Sequence, residues 1–347
     1  MVVDHQVVVR ELPEPDAKAE ILSDRFQVGG PVPTALALLT RFGASTSFIG
    51  KWATDRWGEM IEDDLGQARI DLGQTVVSPA VRTGFAHVWV EAGTGRRSIA
   101  AYRGNHPLEP ADLEGIAWPD YHALHLDAWP SDTAIEAARQ MKSAGGRVFI
   151  DLGSPKPSWE TLVGLADLVN CPHRLLDVLF PTTPMEKAAK RLVALCAGEV
   201  TVTDGDSGAW FFDANTELHQ PAMPVEAIDT NGAGDVFAGA MIFATLKNWP
   251  VDRRMRFAAA AAAKKPAPIR EPPKEKPSLV QRGLNAAKRA VGAESKVQPV
   301  QKEDALSPVE KAETPSKRRW SLTSPLKQKN TDSAPEVLSP ASRLRRK

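Results

Sequence analysis

The amino-acid sequence predicts an α/β protein with a mainly parallel central sheet, a separate small sheet near the N-terminus and a C-terminal tail without regular structure. Three observations lead to this prediction. Short apolar segments alternate with amphipathic segments through the middle of the chain, an early hairpin pattern interrupts that alternation, and the composition changes abruptly after Ala263.

The N-terminal part of the chain favours a mixture of strands and helices. Apolar residues follow helical spacing from Thr34 onward, and Gly43 ends that pattern. The segment Ala92-Gly-Thr-Gly95 separates two alternating stretches, which is a hairpin signal. Because this hairpin does not fit the later alternation, we expect it to belong to the small sheet. The expected elements are strands at 7–10, 47–50, 85–91 and 97–102 and helices at 34–42 and 56–68.

The middle of the chain repeats short apolar strands and longer amphipathic helices. Strands of this kind are typical of a parallel sheet that is buried on both faces. The expected strands lie at 123–126, 147–151, 168–170 and 200–203, and the expected helices at 133–144, 235–247 and 258–263.

Residues 264–347 differ from the rest in composition. They contain 11 of the 28 prolines and one aromatic residue, Trp320, so they offer little apolar surface for folding. They carry 20 lysines and arginines against 9 acidic residues, a net +11 that the other residues balance with −11. We therefore expect a folded domain at 1–264 and a disordered basic tail at 265–347, with one short helix near 279–291. The tail suits an acidic partner, nucleic acid or a membrane surface, although solubilising disorder explains the same composition.

The remaining bulk features exclude several classes of protein. The two cysteines, Cys171 and Cys196, provide no disulfide framework or zinc-ligand spacing. No apolar run reaches the roughly 18 residues that a membrane helix needs, and no signal peptide is visible. A cytoplasmic protein without a membrane span is the default expectation.

The segment Asp229-Thr-Asn-Gly-Ala-Gly-Asp235 is the strongest chemical motif. Small residues at Gly232, Ala233 and Gly234 allow backbone N–H groups to converge, and the apolar helix that follows directs its positive end to the same place. The motif therefore predicts an anion hole for a phosphoryl group, with Asp235 as a general base. A glycine turn with a capping aspartate would look the same locally. The sequence has neither a P-loop pattern nor a dinucleotide-binding glycine pattern.

Four segments in the same order resemble the ribokinase-like (PfkB-type) carbohydrate kinases. They are the glycine pair, helix and closing glycine at 29–43, the Gly-x4-Asp-x2-Gly segment at 50–58, the Thr-x-Gly-x-x-Gly loop at 203–208 and the motif at 229–235. The resemblance covers residues 1–263. It implies a ribokinase-like three-layer sandwich with a small β-sheet lid, and ATP-dependent phosphorylation of a sugar hydroxyl with ATP and Mg²⁺ as cofactors.

The resemblance also implies roles for single residues. Asp4, Gly29, Gly30 and Thr34 would bind the sugar together with Asp235. A lid formed largely by residues 83–103 would close over the sugar and exclude water, and related lids also pair into homodimers. Arg82 and Arg103 flank that lid, where either could reach a substrate phosphate, although a surface arginine is the simpler interpretation. Asp55 either belongs to the site or caps a helix. The nucleotide would be bound by Thr203, Gly205, Gly208, Thr230, Gly232 and Gly234.

The chain departs from the family pattern at four places. It starts at Met1 almost on the first sheet strand, so part of that strand is expected to be missing. Thr34 replaces an asparagine that contacts substrate, and the pattern that covers adenine ends after Ala263. His173 replaces an acid linked to magnesium, which leaves Asn170 as a candidate ligand through water.

A sugar kinase is the leading hypothesis, and a nucleoside kinase or a catalytically weak, kinase-like regulatory protein are the alternatives.

Overall fold

The computed structural model describes residues 2–94, 96–196, 198–225 and 232–263 and confirms the ribokinase-like α/β prediction. The strands are β1 (Val2–Val9), β2 (Ile21–Gly29), β3 (Lys51–Ala53), β4 (Val76–Ser78), β5 (Gly84–Glu91), β6 (Arg97–Tyr102), β7 (Ala123–Leu126), β8 (Arg147–Asp151), β9 (Leu168–Pro172), β10 (Glu199–Thr203), β11 (Ala209–Phe212) and β12 (Glu217–Gln220). The helices are α1 (Pro31–Arg41), α2 (Arg56–Gln67), α3 (Ser131–Ser143), α4 (Trp159–Val163), α5 (His173–Leu179), α6 (Met185–Cys196), α7 (Ala233–Leu246) and α8 (Val251–Ala263). The expected tail at 265–347 and its helix near 279–291 lie outside the described residues.

The central layer is a six-stranded sheet in the order β12-β11-β10-β9-β8-β7. Strands β7 to β10 are parallel, and β11 and β12 continue the sheet antiparallel. Side chains of β8 alternate between two apolar layers. Val148 and Ile150 pack in the core that holds α3 to α6, whereas Phe149 packs in the core of α1, α7 and α8. The strand is therefore buried on both faces, as its uninterrupted apolar sequence predicts.

The N-terminal strand lies in the small four-stranded sheet. Strand β1 begins at Val2 and pairs antiparallel with β2 and parallel with β5, in the order β2-β1-β5-β6. The sequence did not indicate β2, because polar and charged residues such as Ser23, Asp24 and Arg25 interrupt its apolar pattern. The hairpin of β5 and β6 is confirmed, and it joins this sheet rather than the central one.

The strand expected at 47–50 is replaced by a single bridge between Ser47 and Asp71. The ladder to β4 starts only at Lys51, where β3 begins. Residues 47–50 and β7 both line a groove of about 960 Å³, together with residues of α1, α3 and α7. Three buried polar atoms of its walls have no hydrogen-bond partner among the described residues: Ser47 Oγ, Trp118 Nε1 and His125 Nε2. The edge of the central sheet at β7 is therefore packed less completely than its centre.

This groove predicts opposite effects for the same substitution at two neighbouring positions of α3. Ala137 lines the groove, whereas Ala138 is fully buried against other side chains and does not line it. We expect Ala137→Leu to raise the free energy of unfolding by about 1–2 kcal/mol, because the added methylene groups enter empty apolar space. Ala138→Leu should lower it by about 1–3 kcal/mol through overpacking. Urea denaturation of both variants checks this, and equal losses at the two positions would contradict the description of the groove.

Candidate active site

The N-terminus of α7 has the geometry of an anion hole. Gly232 precedes the helix in the left-handed conformation, with φ of 79°. A side chain added at Gly234 would meet no atom within 4 Å, so the helix end is open among the described residues. Asp235 lies in the first turn. The helix dipole and the free N–H groups of that turn therefore face open space beside a carboxylate. Asp229 and Thr230 of the same motif lie outside the described residues.

The position of this helix end is fixed by close packing against α1. A side chain at Gly239 would come within 3.0 Å of the Ala35 Cα atom, so the two helix backbones approach as closely as glycine allows. The same packing places Thr34 beside the anion hole. A methyl group added at Gly232 would lie 3.8 Å from Thr34 Cγ2 and 3.6 Å from Asp235 Oδ2. Thr34 and Asp235, which the sequence predicted as site residues, are thus brought together.

The predicted sugar-binding residues lie where β2 ends and α1 begins. Gly29 ends β2, and any side chain there would collide with the Asp4 carboxylate. Gly30 caps α1 with φ of 120°, a conformation that favours glycine, and its carbonyl accepts a hydrogen bond of 3.0 Å from the Thr34 hydroxyl. Burial raises the pKa of Asp4 to about 6. Asp4, Gly29, Gly30 and Thr34 therefore form one contiguous surface, while their role in sugar binding stays a prediction.

A buried acidic network, which the sequence reasoning missed, continues from Asp235 into the central sheet. The Asn170 amide donates to the Asp151 carboxylate at 3.3 Å and accepts from the Thr201 hydroxyl at 2.9 Å. Burial is the main cause that raises the pKa of Asp151 to about 7, and the negative charges of Asp235 and Asp127 raise it further. Burial also raises the pKa of Asp127. The three carboxylates are close enough to repel one another.

A signal for this network was present in the sequence. Asp127 directly follows β7, Asp151 ends β8, and Asn170 lies on β9 near its end. These three strands are parallel neighbours, so their carboxyl ends meet at one edge of the sheet. Ligands of open α/β sheets bind at that edge. Polar residues at the ends of predicted parallel strands could therefore have been selected as site candidates.

The predicted nucleotide loop is a tight hairpin between β10 and β11. Thr203 ends β10, and the loop backbone closes through a hydrogen bond of 2.9 Å from the Asp204 N–H to the Gly208 carbonyl. Gly208 must be glycine, because an added side chain would lie 2.7 Å from the backbone nitrogen of Ala222. Gly205 has φ of 52° and no atom within 4 Å of an added side chain. The loop thus presents open backbone at Gly205, and nucleotide binding there stays a prediction.

His173, which replaces the acid of the family pattern, lies between two carboxylates. Its Nδ1 is 3.2 Å from Asp204 Oδ2, and its Nε2 is 3.8 Å from Asp177 Oδ1. The imidazole therefore links the start of α5 to the loop that contains Gly205.

The described residues fit magnesium only in an indirect role. No three of their His, Cys, Asp and Glu side chains form a group that could hold a metal ion directly. The oxygens of Asp127, Asp151 and Asp235 are nevertheless of the hard type that Mg²⁺ prefers, and their mutual repulsion favours a cation nearby. Asn170 already uses its side-chain oxygen to accept from Thr201. We therefore expect Mg²⁺ to contact these residues indirectly, through water molecules and the phosphates of the nucleotide.

Asp55 has the helix-capping role that the sequence offered for it. Its carboxylate caps α2 by accepting from the N–H groups of Trp57 and Gly58 at 3.1 and 2.9 Å, and it accepts from the Thr83 N–H at 3.1 Å. Burial would raise the pKa of Asp55, but these hydrogen bonds outweigh that effect and lower it. The carboxylate thus ties α2 to the start of the lid hairpin.

Comparisons of the sequence with known proteins agree with this geometry. The sequence model of the pfkB family of carbohydrate kinases matches residues 1–265. The chain is 26% identical over 266 residues to the ribokinase of Bacillus subtilis, covering 74% of this chain and 88% of that protein. It is 28% identical over 268 residues to the ATP-dependent ribose-1-phosphate kinase of Halopiger xanaduensis, covering 74% and 86%.

Solved structures give the same result for the fold. The ribokinase of Thermotoga maritima superimposes with a TM-score of 0.64 at 25% identity, covering 75% of this chain and 88% of that one. The Arabidopsis thaliana ribokinase, solved with ribose and ATP, gives a TM-score of 0.65 at 24% identity over the same shares.

No helix in the described part of the chain is long and apolar enough to cross a bilayer.

The buried acidic network predicts a specific dependence of stability on pH. The pKa of Asp151 is higher in the folded chain than in the unfolded chain, so the folded state binds the proton more tightly and loses stability as the pH rises from about 4 to about 7. We expect Asp151→Asn, which keeps the oxygen facing Asn170, to raise the free energy of unfolding by up to about 4 kcal/mol at pH 8. The gain should vanish near pH 4. Denaturation curves across this range check the sign, and a constant difference would contradict it.

Proposed function

Because this chain belongs to the pfkB family of carbohydrate kinases, we propose that it transfers the γ-phosphoryl group of ATP to a hydroxyl of a sugar or sugar-like molecule, with Asp235 as the general base. One observation carries the proposal. The Asp235 carboxylate and the open, glycine-capped N-terminus of α7 lie within one helical turn, beside Thr34 of the predicted sugar surface. A base, an anion hole and an acceptor surface therefore meet at one point.

The chemistry needs a proton acceptor and stabilisation of moving negative charge. As the acceptor oxygen forms its bond to phosphorus, its proton passes to the Asp235 carboxylate, and the bond from phosphorus to the ADP oxygen breaks. The N–H groups of the first turn of α7, with Gly232 and Gly234 leaving space around them, stabilise the charge of the transferred group. Bound ATP with Mg²⁺ supplies the phosphoryl group and neutralises part of its charge.

The nucleotide is expected to approach from the loop after β10. Thr203 and Gly205 lie at the carboxyl end of β10, which is the same edge of the sheet where Asp151 ends β8. Open backbone at Gly205 provides room for phosphate or ribose. His173 supports the proposal by holding this loop to α5 where the usual acid is absent.

The small four-stranded sheet supports the role of a lid. Asp4 belongs to β1 of this sheet, and Gly29 ends β2, so two predicted sugar contacts come from the lid itself. Closure over the sugar would exclude water, which competes with the sugar as phosphoryl acceptor.

Membership of the family does not determine which molecule accepts the phosphoryl group. Relatives of this chain are named for ribose, for ribose 1-phosphate and for fructoselysine, with a fructoselysine 6-kinase of Escherichia coli 29% identical over 252 residues. Neutral and charged sugars are thus both represented among proteins of similar sequence. The acceptor class of this chain must follow from its own residues.

A matched pair of aspartates tests the catalytic assignment. Asp235 and Asp252 both lie in the first turn of a helix, but Asp252 is exposed on α8 and pairs with Arg256. We expect Asp235→Asn to lower kcat by about 10²- to 10⁴-fold, because it removes the base and keeps the side-chain shape. Asp252→Asn should change it less than twofold. ADP release with Mg·ATP and a sugar panel measures both. Retained turnover in the Asp235 variant would refute the assignment.

A further inference from the structure

Two positively charged side chains meet at the Trp129 ring, beside the acidic cluster. The Arg103 guanidinium carbon lies 5.3 Å from the centroid of the Trp129 ring, and the Lys156 ammonium nitrogen lies 5.9 Å from the same centroid. Arg103 directly follows strand β6 of the lid, Trp129 lies after β7, and Lys156 lies after β8. Two cations from separate parts of the fold therefore converge on one indole ring.

No carboxylate of the described residues forms an ion pair with these cations, although the charge of Asp127 acts on Lys156. Among the described residues, neither Arg103 nor Lys156 forms an ion pair within 4.0 Å. Burial lowers the pKa of Lys156, the charge of Arg103 lowers it further, and Asp127 opposes both effects. Arg103 and Lys156 carry like charges that repel each other, and Asp127 offsets only part of this effect. An oxyanion bound by both cations would relieve the rest of the repulsion.

Arg103 and Trp129 belong to the same groove as the predicted sugar surface, and Lys156 approaches it through its contact with the Trp129 ring. Arg103 and Trp129 line the groove that also contains Gly29, Gly30 and Asp127. Trp129 is 41% exposed, unusually accessible for so large an apolar side chain. The charged side chains form a series of neighbours, since Lys156 interacts with Asp127, Asp127 with Asp151, and Asp151 with Asp235. An acceptor with an oxyanion at one end would be oriented with its other end toward Asp235.

We propose that Arg103, Lys156 and Trp129 form a subsite for an oxyanion on the acceptor. This proposal rests on the proposed phosphoryl transfer. The preferred acceptor is then a sugar acid or a sugar phosphate. Arginine offers paired N–H groups that match the oxygens of either group, and lysine adds a point charge. Because Arg103 comes from the lid and Lys156 from the central domain, binding of the oxyanion would also hold the lid closed.

A panel of acceptors and a matched set of lysine variants test this proposal. The panel contains neutral pentoses and hexoses, their aldonic acids and their monophosphates, so it separates the two sources of negative charge. We expect kcat/KM for an acid or a phosphate to exceed that of its neutral counterpart. Lys156→Gln should lower this ratio by about 10- to 100-fold, mainly through KM for the acceptor. Lys156→Arg should restore most of it. Lys142→Gln is the control, because Lys142 lies on α3 and forms an ion pair with Asp167.

The possible outcomes separate this proposal from the proposed function. Preferred turnover of neutral sugars that depends on Asp235 would overturn the oxyanion subsite and leave phosphoryl transfer intact. A rise in KM for ATP alone in Lys156→Gln would also overturn it, since the cations would then serve the nucleotide. If no acceptor is turned over, calorimetry with the same panel decides. Selective binding of anions that Lys156→Gln removes supports the subsite and contradicts the kinase activity, and unselective or absent binding overturns the subsite.

Discussion

The close contact between helices α1 and α7 is the constraint on which the arrangement of the site depends. Gly239 lets the backbone of α7 approach Ala35, and α7 is apolar and buried on nearly all sides. Helices packed this tightly have little freedom to shift, because each displacement would open a void or cause a clash. The start of α7 is therefore held beside the start of α1, which brings Asp235 and Gly232 close to Thr34 and Gly30.

The electrostatics of the cleft follow from the topology of the central sheet. Parallel strands bring their carboxyl ends together, and in this chain those ends carry Asp127, Asp151 and Asn170. Burial of several acids at one edge destabilises the folded state at neutral pH, as the raised pKa of Asp151 indicates. Such a cost is typical of functional sites, where charge is arranged for a ligand rather than for stability. Arg103 and Lys156 place positive charge beside this acidic cluster.

The fold was predictable from sequence where its signals are local. The strands β7 to β10 follow short apolar runs, α2 follows amphipathic periodicity and α7 follows a continuous apolar run. The motif around Asp235 predicted an anion hole at the start of α7. The pairing of β1 was not predictable in this way, because nothing in Val2–Val9 distinguishes a lid strand from a central one. Asp151, Trp129 and Lys156 were missed for a related reason. Each lies in a separate loop or strand end, and only the folded sheet brings them together.

The central proposal is that a phosphoryl group moves from ATP to a sugar oxygen at the N-terminus of α7. The most direct test follows the reaction of the full chain with Mg·ATP and the acceptor panel by ³¹P NMR. The account predicts a new phosphate-ester resonance that grows as the γ-phosphate resonance of ATP declines, with little inorganic phosphate. Release of inorganic phosphate alone, or an unchanged ATP spectrum with every acceptor, would contradict it.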